Sequence, residues 1–202
     1  MQVSDPPALS AKGLACRRGD RLLFRQLSFD LGAGDALHIT GANGTGKTTL
    51  IRALAGLTTP FAGEVACEGA LGLVDERPAL DPDQPLGKAL DFWLRIEACQ
   101  NASGTLRELG LEALLEVPVR YLSTGQRKRA SLAVLISRAV PIWLLDEPLS
   151  GLDVAAIDNV TSIIQRHVEG GGLALIASHQ PLAIEGLKKL ELSDYTPGDG
   201  PA

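Results

Sequence analysis

Cysteine is sparse in this chain and badly spaced for chemistry. Cys16, Cys67 and Cys99 lie far apart, are odd in number and form no C-x-x-C pair. That leaves no support for a disulfide framework, a structural zinc site or covalent haem attachment, so reduced thiols are the plain reading. Long apolar runs are missing too. No stretch reaches the ~18 apolar residues of a membrane span, and the nearest candidate, LAVLISRAVPIWLL, is interrupted by Arg138 and Pro141. The N-terminal MQVSDPPALSAKG has no apolar core and does not read as a secretory signal. An excess of basic charge is also absent. The net charge is −5, which argues against a general nucleic-acid binder. Internal repeats are not seen. What remains is a 202-residue chain, 45% hydrophobic and 21% charged. We expect a soluble protein that meets a membrane only through a partner, built as one domain with at most a small satellite.

The chain divides by pattern. From Ala8 to Leu31 short apolar runs alternate with polar residues, and Arg18-Gly19-Asp20 reads as a turn between antiparallel strands. Asp35 to Thr40 is a short strand. Lys47 to Leu57 is a helix with Leu50, Ile51, Leu54 and Leu57 on one face, stopped by Gly56 and Pro60. Residues 61–77 hold short strands. Pro78, Pro82 and Pro85 then introduce two helical patterns, KALDFWLRIEAC and LRELGLEALLE. A serine-capped helix follows over Leu122 to Val140. Ile142 to Leu145 and Leu173 to Ala177 are wholly apolar, as strands covered on both faces are. Between them Val154 to Val168 is an amphipathic helix, ended by three glycines. The tail from Ser193 is expected to fray.

The chemistry collects at strand ends. The stretch from Gly41 to Thr48 spells G-x-x-x-x-G-K-T between a strand and a helix. Its glycines let backbone N–H groups of Gly41, Ala42, Asn43, Gly44, Thr45 and Gly46 turn toward phosphate, and the helix adds its positive N-terminal end through Thr48 and Thr49. Lys47 supplies a charge to the β- and γ-phosphates, and the Thr48 hydroxyl can ligate Mg²⁺. IWLLDE, Ile142 to Glu147, is a Walker B pattern: Asp146 can hold Mg²⁺ and Glu147 can polarise an attacking water. Parallel strands point their carboxyl ends to one edge, where ligands bind. The loop, the acidic pair and Ser178-His179 should therefore converge. LSTGQ, Leu122 to Gln126, begins a helix with Ser123 as N-cap and Gly125 leaving room for close backbone approach. Arg127, Lys128 and Arg129 follow, where a helix dipole disfavours cations and an arriving anion would relieve the cost.

The order of loop, LSTGQ, LLDEP, LSGLD and SHQ resembles the nucleotide-binding subunits of ABC transporters over nearly the whole chain. LSTGQ is similar to their LSGGQ signature, with Thr124 for the second-position glycine. LSGLD, Leu149 to Asp153, is similar to the D-loop, and His179 sits where the family has its switch histidine. The resemblance implies an α/β P-loop NTPase fold of ABC type, with a mostly parallel core sheet, an N-terminal antiparallel β part and a helical subdomain at about 78–133. The core would be about 1–77 and 134–202. It also implies an ATPase with ATP and Mg²⁺ as cofactors and a head-to-tail homodimer. Each ATP would meet Ser123, Gly125 and Gln126 of the facing subunit, and Glu147, His179 and Lys47 would be catalytic. A narrower resemblance lies in VPVRYLSTGQRKR (Val117 to Arg129), LDFWLR (Leu90 to Arg95), SHQPL and the short length. These are similar to the CcmA family of cytochrome c maturation ATPases. That implies the cytoplasmic face of the bacterial inner membrane and an integral membrane partner like CcmB, docked near residues 78–95 around Trp93. It implies haem export or release of a haem-loaded chaperone.

Two positions depart from the family pattern. Arg77 stands where a glutamine usually touches Mg²⁺ and the attacking water, and an arginine cannot ligate a cation. The aromatic residue that stacks on adenine is missing; Arg18 takes its place, and a guanidinium plane can stack on a base. Two other classes compete. Soluble ABC ATPases of DNA repair or translation usually carry coiled-coil insertions or tandem nucleotide domains; these 202 residues hold one set of motifs and little else, which favours the transporter reading. A P-loop kinase would need neither LSTGQ nor Glu147.

Overall fold

Alternation along the central strands sets the layers of the protein. The computed structural model describes residues 6–76, 79–96 and 102–197. Strand β6 (Ile142–Asp146) turns Ile142 and Leu144 to one face and Trp143 and Leu145 to the other, all buried. β7 (Leu173–Ala177) does the same. Each such side chain contributes about 1.5–3 kcal/mol relative to exposure. Both strands lie in a five-stranded sheet ordered β5-β6-β7-β3-β8, with β3 at Ala36–Thr40, β5 at Leu71–Val74 and β8 at Lys188–Glu191. Every pair in it is parallel.

A second sheet, antiparallel and ordered β2-β1-β4, is formed by β1 (Ala8–Arg18), β2 (Arg21–Leu31) and β4 (Ala62–Glu68). It and helix α1 (Lys47–Leu54) cover one face of the parallel sheet: Leu14, Phe24, Leu27, Leu50 and Ile51 pack with Leu144 and Leu175. The opposite face meets α4 (Thr124–Ser137) and α5 (Val154–Glu169). It also meets the helices inserted between β5 and β6: α2 (Leu86–Ile96) and α3 (Ala102–Glu108). Leu86, Leu90, Leu109, Leu111 and Val119 of the insertion share one core with Trp143, Ile164 and Ile176.

Several expectations need correction. LRELGLEALLE is not one helix. α3 stops at Glu108, Gly110 adopts φ 61°, and a single 3₁₀ turn follows at Glu112–Leu114. Leu109 and Leu111 are both buried, so an apolar pattern of helical spacing is met by a turn. α1 ends at Leu54 rather than Leu57, which is exposed, because the chain turns through Gly56 at φ 71°. The chain past Ser193 is not frayed at its start: a 3₁₀ turn over Leu192–Tyr195 seats Leu192 in the core beside β2. β8 was not foreseen. Arg77, and the end of the KALDFWLRIEAC pattern with Cys99, lie outside the described residues.

Candidate functional site

The five parallel strands end at one edge, and the loop from Gly41 to Gly46 leaves β3 there. Gly41, Gly44 and Gly46 have φ of 146°, 82° and 113°, which side chains rarely tolerate. Gly46 is also closed in: a Cβ there would lie 3.2 Å from Leu23 and Phe24 of β2, so the antiparallel sheet sets the height of the loop. Ala42, Asn43 and Gly44 face solvent. Lys47 is 7% exposed, and its ammonium donates to the carbonyls of Gly41 (2.7 Å) and Ala42 (3.3 Å). The Thr45 hydroxyl donates to Ala42 O. α1 then starts with no side-chain cap and no acidic residue in its first turn, so its positive end is left uncompensated by the chain. Thr48 and Thr49 line the cleft beside it together with Arg18.

Three of the distant groups converge. Lys47 Nζ lies 3.9 Å from Glu147 Oε1, and Glu147 Oε2 lies 2.8 Å from His179 Nδ1. Glu147 is 18% exposed at its side chain and His179 56%. Glu147 has φ 48°, an uncommon and strained conformation for glutamate that nothing in the sequence announces. Its N–H donates to Ala177 O at 2.8 Å, which ties it to the end of β7. Asp146 is buried, and neither of its carboxylate oxygens has a hydrogen-bond partner. Burial pushes its pKa up, while the Thr48 hydroxyl, close by but outside hydrogen-bond geometry, and the Lys128 ammonium hold it down. A buried carboxylate with unsatisfied oxygens beside a threonine hydroxyl fits a hard divalent cation.

The LSTGQ segment is arranged differently from its sequence reading. Ser123 caps α4 as expected: its hydroxyl accepts from Gln126 N (3.2 Å) and Gln126 Oε1 accepts from Ser123 N (2.8 Å). Gly125, however, owes its small size to its own chain. A Cβ there would lie 2.3 Å from the carbonyl oxygen of Gly151, in LSGLD. Of the three cations, Lys128 and Arg129 turn inward. Lys128 donates to the carbonyls of Asp146 and Asp75, and Arg129 to Leu109 O at 2.7 Å. The relief expected from an incoming anion is thus largely supplied by the chain itself. Thr124 and Arg127 line a cleft of about 700 Å³ with Asn43, Glu147, Ser150 and His179.

Sequence reasoning missed Lys128, hidden in the RKR run, and Glu191, at the end of an unforeseen strand. Glu191 accepts from the Thr40 hydroxyl (2.7 Å) and the Ser193 hydroxyl (2.5 Å). Those two bonds, with Lys47 beyond, hold its carboxyl below the usual range. It stands directly behind Gly41: a Cβ there would meet it at 3.3 Å.

Known proteins of the same build carry the same arrangement of elements. A family model described as "ABC transporter" matches residues 24–150. The cytochrome c biogenesis ATP-binding export protein CcmA of Novosphingobium aromaticivorans is 54% identical over 94% of this chain and 97% of its own length. Its namesake in Sphingopyxis alaskensis is 47% identical over 90% and 95%. Among solved structures, a metal-chelate type ABC transporter in an inward-facing conformation is 28% identical, with a TM-score of 0.75 over 92% of this chain and 80% of that one. An ABC transporter ATP-binding protein of Pyrococcus furiosus, 20% identical, shares the fold with a TM-score of 0.80. This chain is a nucleotide-binding ATPase of the ABC transporter family, and within it belongs with the cytochrome c biogenesis ATP-binding export proteins.

Proposed function

We propose that two copies of this chain, paired head to tail, hydrolyse Mg²⁺-ATP and drive an integral membrane subunit like CcmB in c-type cytochrome biogenesis. The observation that carries the reading is the line Lys47–Glu147–His179, closed by contacts of 3.9 and 2.8 Å at the edge of the sheet. Lys47 and the loop N–H groups from Gly41 to Thr49 hold the phosphates. Glu147 polarises the water that attacks the γ-phosphate, and His179 orients Glu147 through their hydrogen bond. Thr48 and Asp146 would hold Mg²⁺, which neutralises charge on the β- and γ-phosphates when bound. Ser123, Gly125 and Gln126 face the partner copy's nucleotide. The Ser123 hydroxyl accepts in its cap and so keeps its own proton to donate. Arg18, exposed beside Thr48 and Thr49, flanks the base; undiminished ATP affinity in Arg18→Ala would count against that role.

The insertion, about residues 78–133, is the lever between nucleotide and membrane. It docks that subunit near residues 78–95 around Trp93, whose half-buried indole is fixed by donating to Ala79 O at 2.7 Å. Phe92, 60% exposed and edge-on to Trp93 at 5.4 Å, is the apolar group on offer to the membrane subunit. Among the described residues no helix is long and apolar enough to cross a membrane, so that subunit supplies the path. The work done is haem export, or release of a haem-loaded chaperone, on the cytoplasmic face of the inner membrane. The test is a pull-down of tagged Glu147→Gln protein from native membranes with ATP present. One small membrane protein recovered with cytochrome c maturation components supports the assignment. A different permease keeps the transporter reading and removes the cytochrome one. Ribosomes or DNA-bound proteins without a membrane subunit overturn both.

A further inference from the structure

Lys128 is 6% exposed and sits two residues past LSTGQ on α4. Its ammonium donates to Asp146 O at 2.7 Å and to Asp75 O at 3.2 Å. These carbonyls lie where β6 and its neighbour β5 end. The negative charges of Asp146, Glu76, Asp75 and Glu147 are near enough to favour its charged form. Burying an ammonium is costly unless it is paired. An apolar side chain would fill the same space without that cost, so packing alone does not account for a lysine here.

The bond to Asp146 O has a particular consequence. That carbonyl belongs to the peptide joining Asp146 to Glu147. The N–H of the same peptide donates to Ala177 O at 2.8 Å. One peptide plane is therefore gripped from both sides, by β7 through its N–H and by Lys128 through its C=O. This is the peptide that sets Glu147 at φ 48°. With one grip gone, the plane can rotate and Glu147 can relax to an ordinary conformation, away from His179.

We propose that Lys128 is a positioning residue of the ATPase: it clamps the 146–147 peptide to the helix that carries Ser123 and Gly125. A displacement of α4 is thereby transmitted to Glu147. The clamp also reaches Asp75, just before the insertion begins, so three elements share one ammonium. The inference rests on the role proposed for Glu147.

The test compares Lys128→Met and Lys128→Gln with the unaltered full chain. Lys128→Met should lower kcat about tenfold or more, because a small misplacement of a catalytic group is costly, with KM for ATP within about twofold. Hydrogen exchange at the peptide containing Glu147 should accelerate while α5 stays protected. Lys128→Gln, whose amide can still donate to one carbonyl, should recover part of both. Should the methionine variant fail to fold, the glutamine variant decides on the same two readouts. A folded Lys128→Met protein with unchanged kcat and unchanged exchange overturns the clamp. So does a rise in KM alone. If Glu147→Gln itself keeps full activity, the role proposed for Glu147 falls first, which separates the two failures.

Discussion

Around Gly41–Thr49 the chain leaves a helix start uncapped beside a buried carboxylate without hydrogen-bond partners, whereas at Leu122–Gln126 it closes the helix start with its own side chains. The loop N–H groups and the uncapped start of α1 have no partner side chain, and Asp146 has two unsatisfied oxygens. At the start of α4 the Ser123–Gln126 capping box is closed, Lys128 and Arg129 are bonded to carbonyls, and Gly125 is packed against Gly151. The first region suits an anionic ligand. The second carries its hydrogen bonds within the chain.

Gly125→Ala should break this comparison most severely. The added methyl would press on a backbone carbonyl at 2.3 Å, which no rotamer change can relieve. We expect a loss of about 1–3 kcal/mol in urea unfolding and near-complete loss of ATPase activity, while ATP binding by the isolated chain persists. Loss of nucleotide binding as well would mean that the two regions are not separable.

Ser123 sharpens the same contrast with a smaller effect. Ser123→Ala removes the cap and should cost about 1 kcal/mol. Ser123→Asp keeps a good cap acceptor, so stability should be retained, but it brings a carboxylate to the face proposed to meet phosphate. ATPase activity should therefore fall in the aspartate variant at unchanged Tm. Equal activity in Ser123→Asp and the unaltered protein would remove Ser123 from the nucleotide interface.

The two regions also differ in how far they could be read from sequence. The loop was legible because glycine and lysine at fixed spacing are a local code, and the convergence of Lys47, Glu147 and His179 followed from strands sharing one edge. The inward turn of Lys128 and Arg129 was not legible, because which face of a helix a charge occupies depends on what packs there. The sequence shows that Gly125 leaves room for close backbone approach but not that Gly151 is the backbone that approaches, a contact between segments 26 positions apart that no periodicity encodes. β8 escaped because KKLE shows one apolar residue, and its strand pairing with β3 comes from the sheet. The strain at Glu147 is a property of the tertiary frame alone.

The smallest effect concerns two histidines on the shared frame, away from the chemistry. His38 in β3 donates from Nε2 to Ser178 O at 3.0 Å, and its Nδ1 is buried without a partner. His167 stacks on Trp143 at 3.8 Å and donates to Pro141 O. Burial holds both pKa values below the ordinary histidine value. The sign follows directly: as pH falls, the unfolded chain takes up protons near pH ~6.5 that the folded chain refuses. Their contribution to stability is thus complete above that pH and is lost below it, by at most about 1.4 kcal/mol per pH unit for each histidine. Urea unfolding at a series of pH values between neutral and mildly acidic should show this slope. His167→Phe, which keeps the stack on Trp143, should make it shallower whatever it does to the absolute stability. An identical slope in the variant would mean that His167 takes up its proton as readily folded as unfolded.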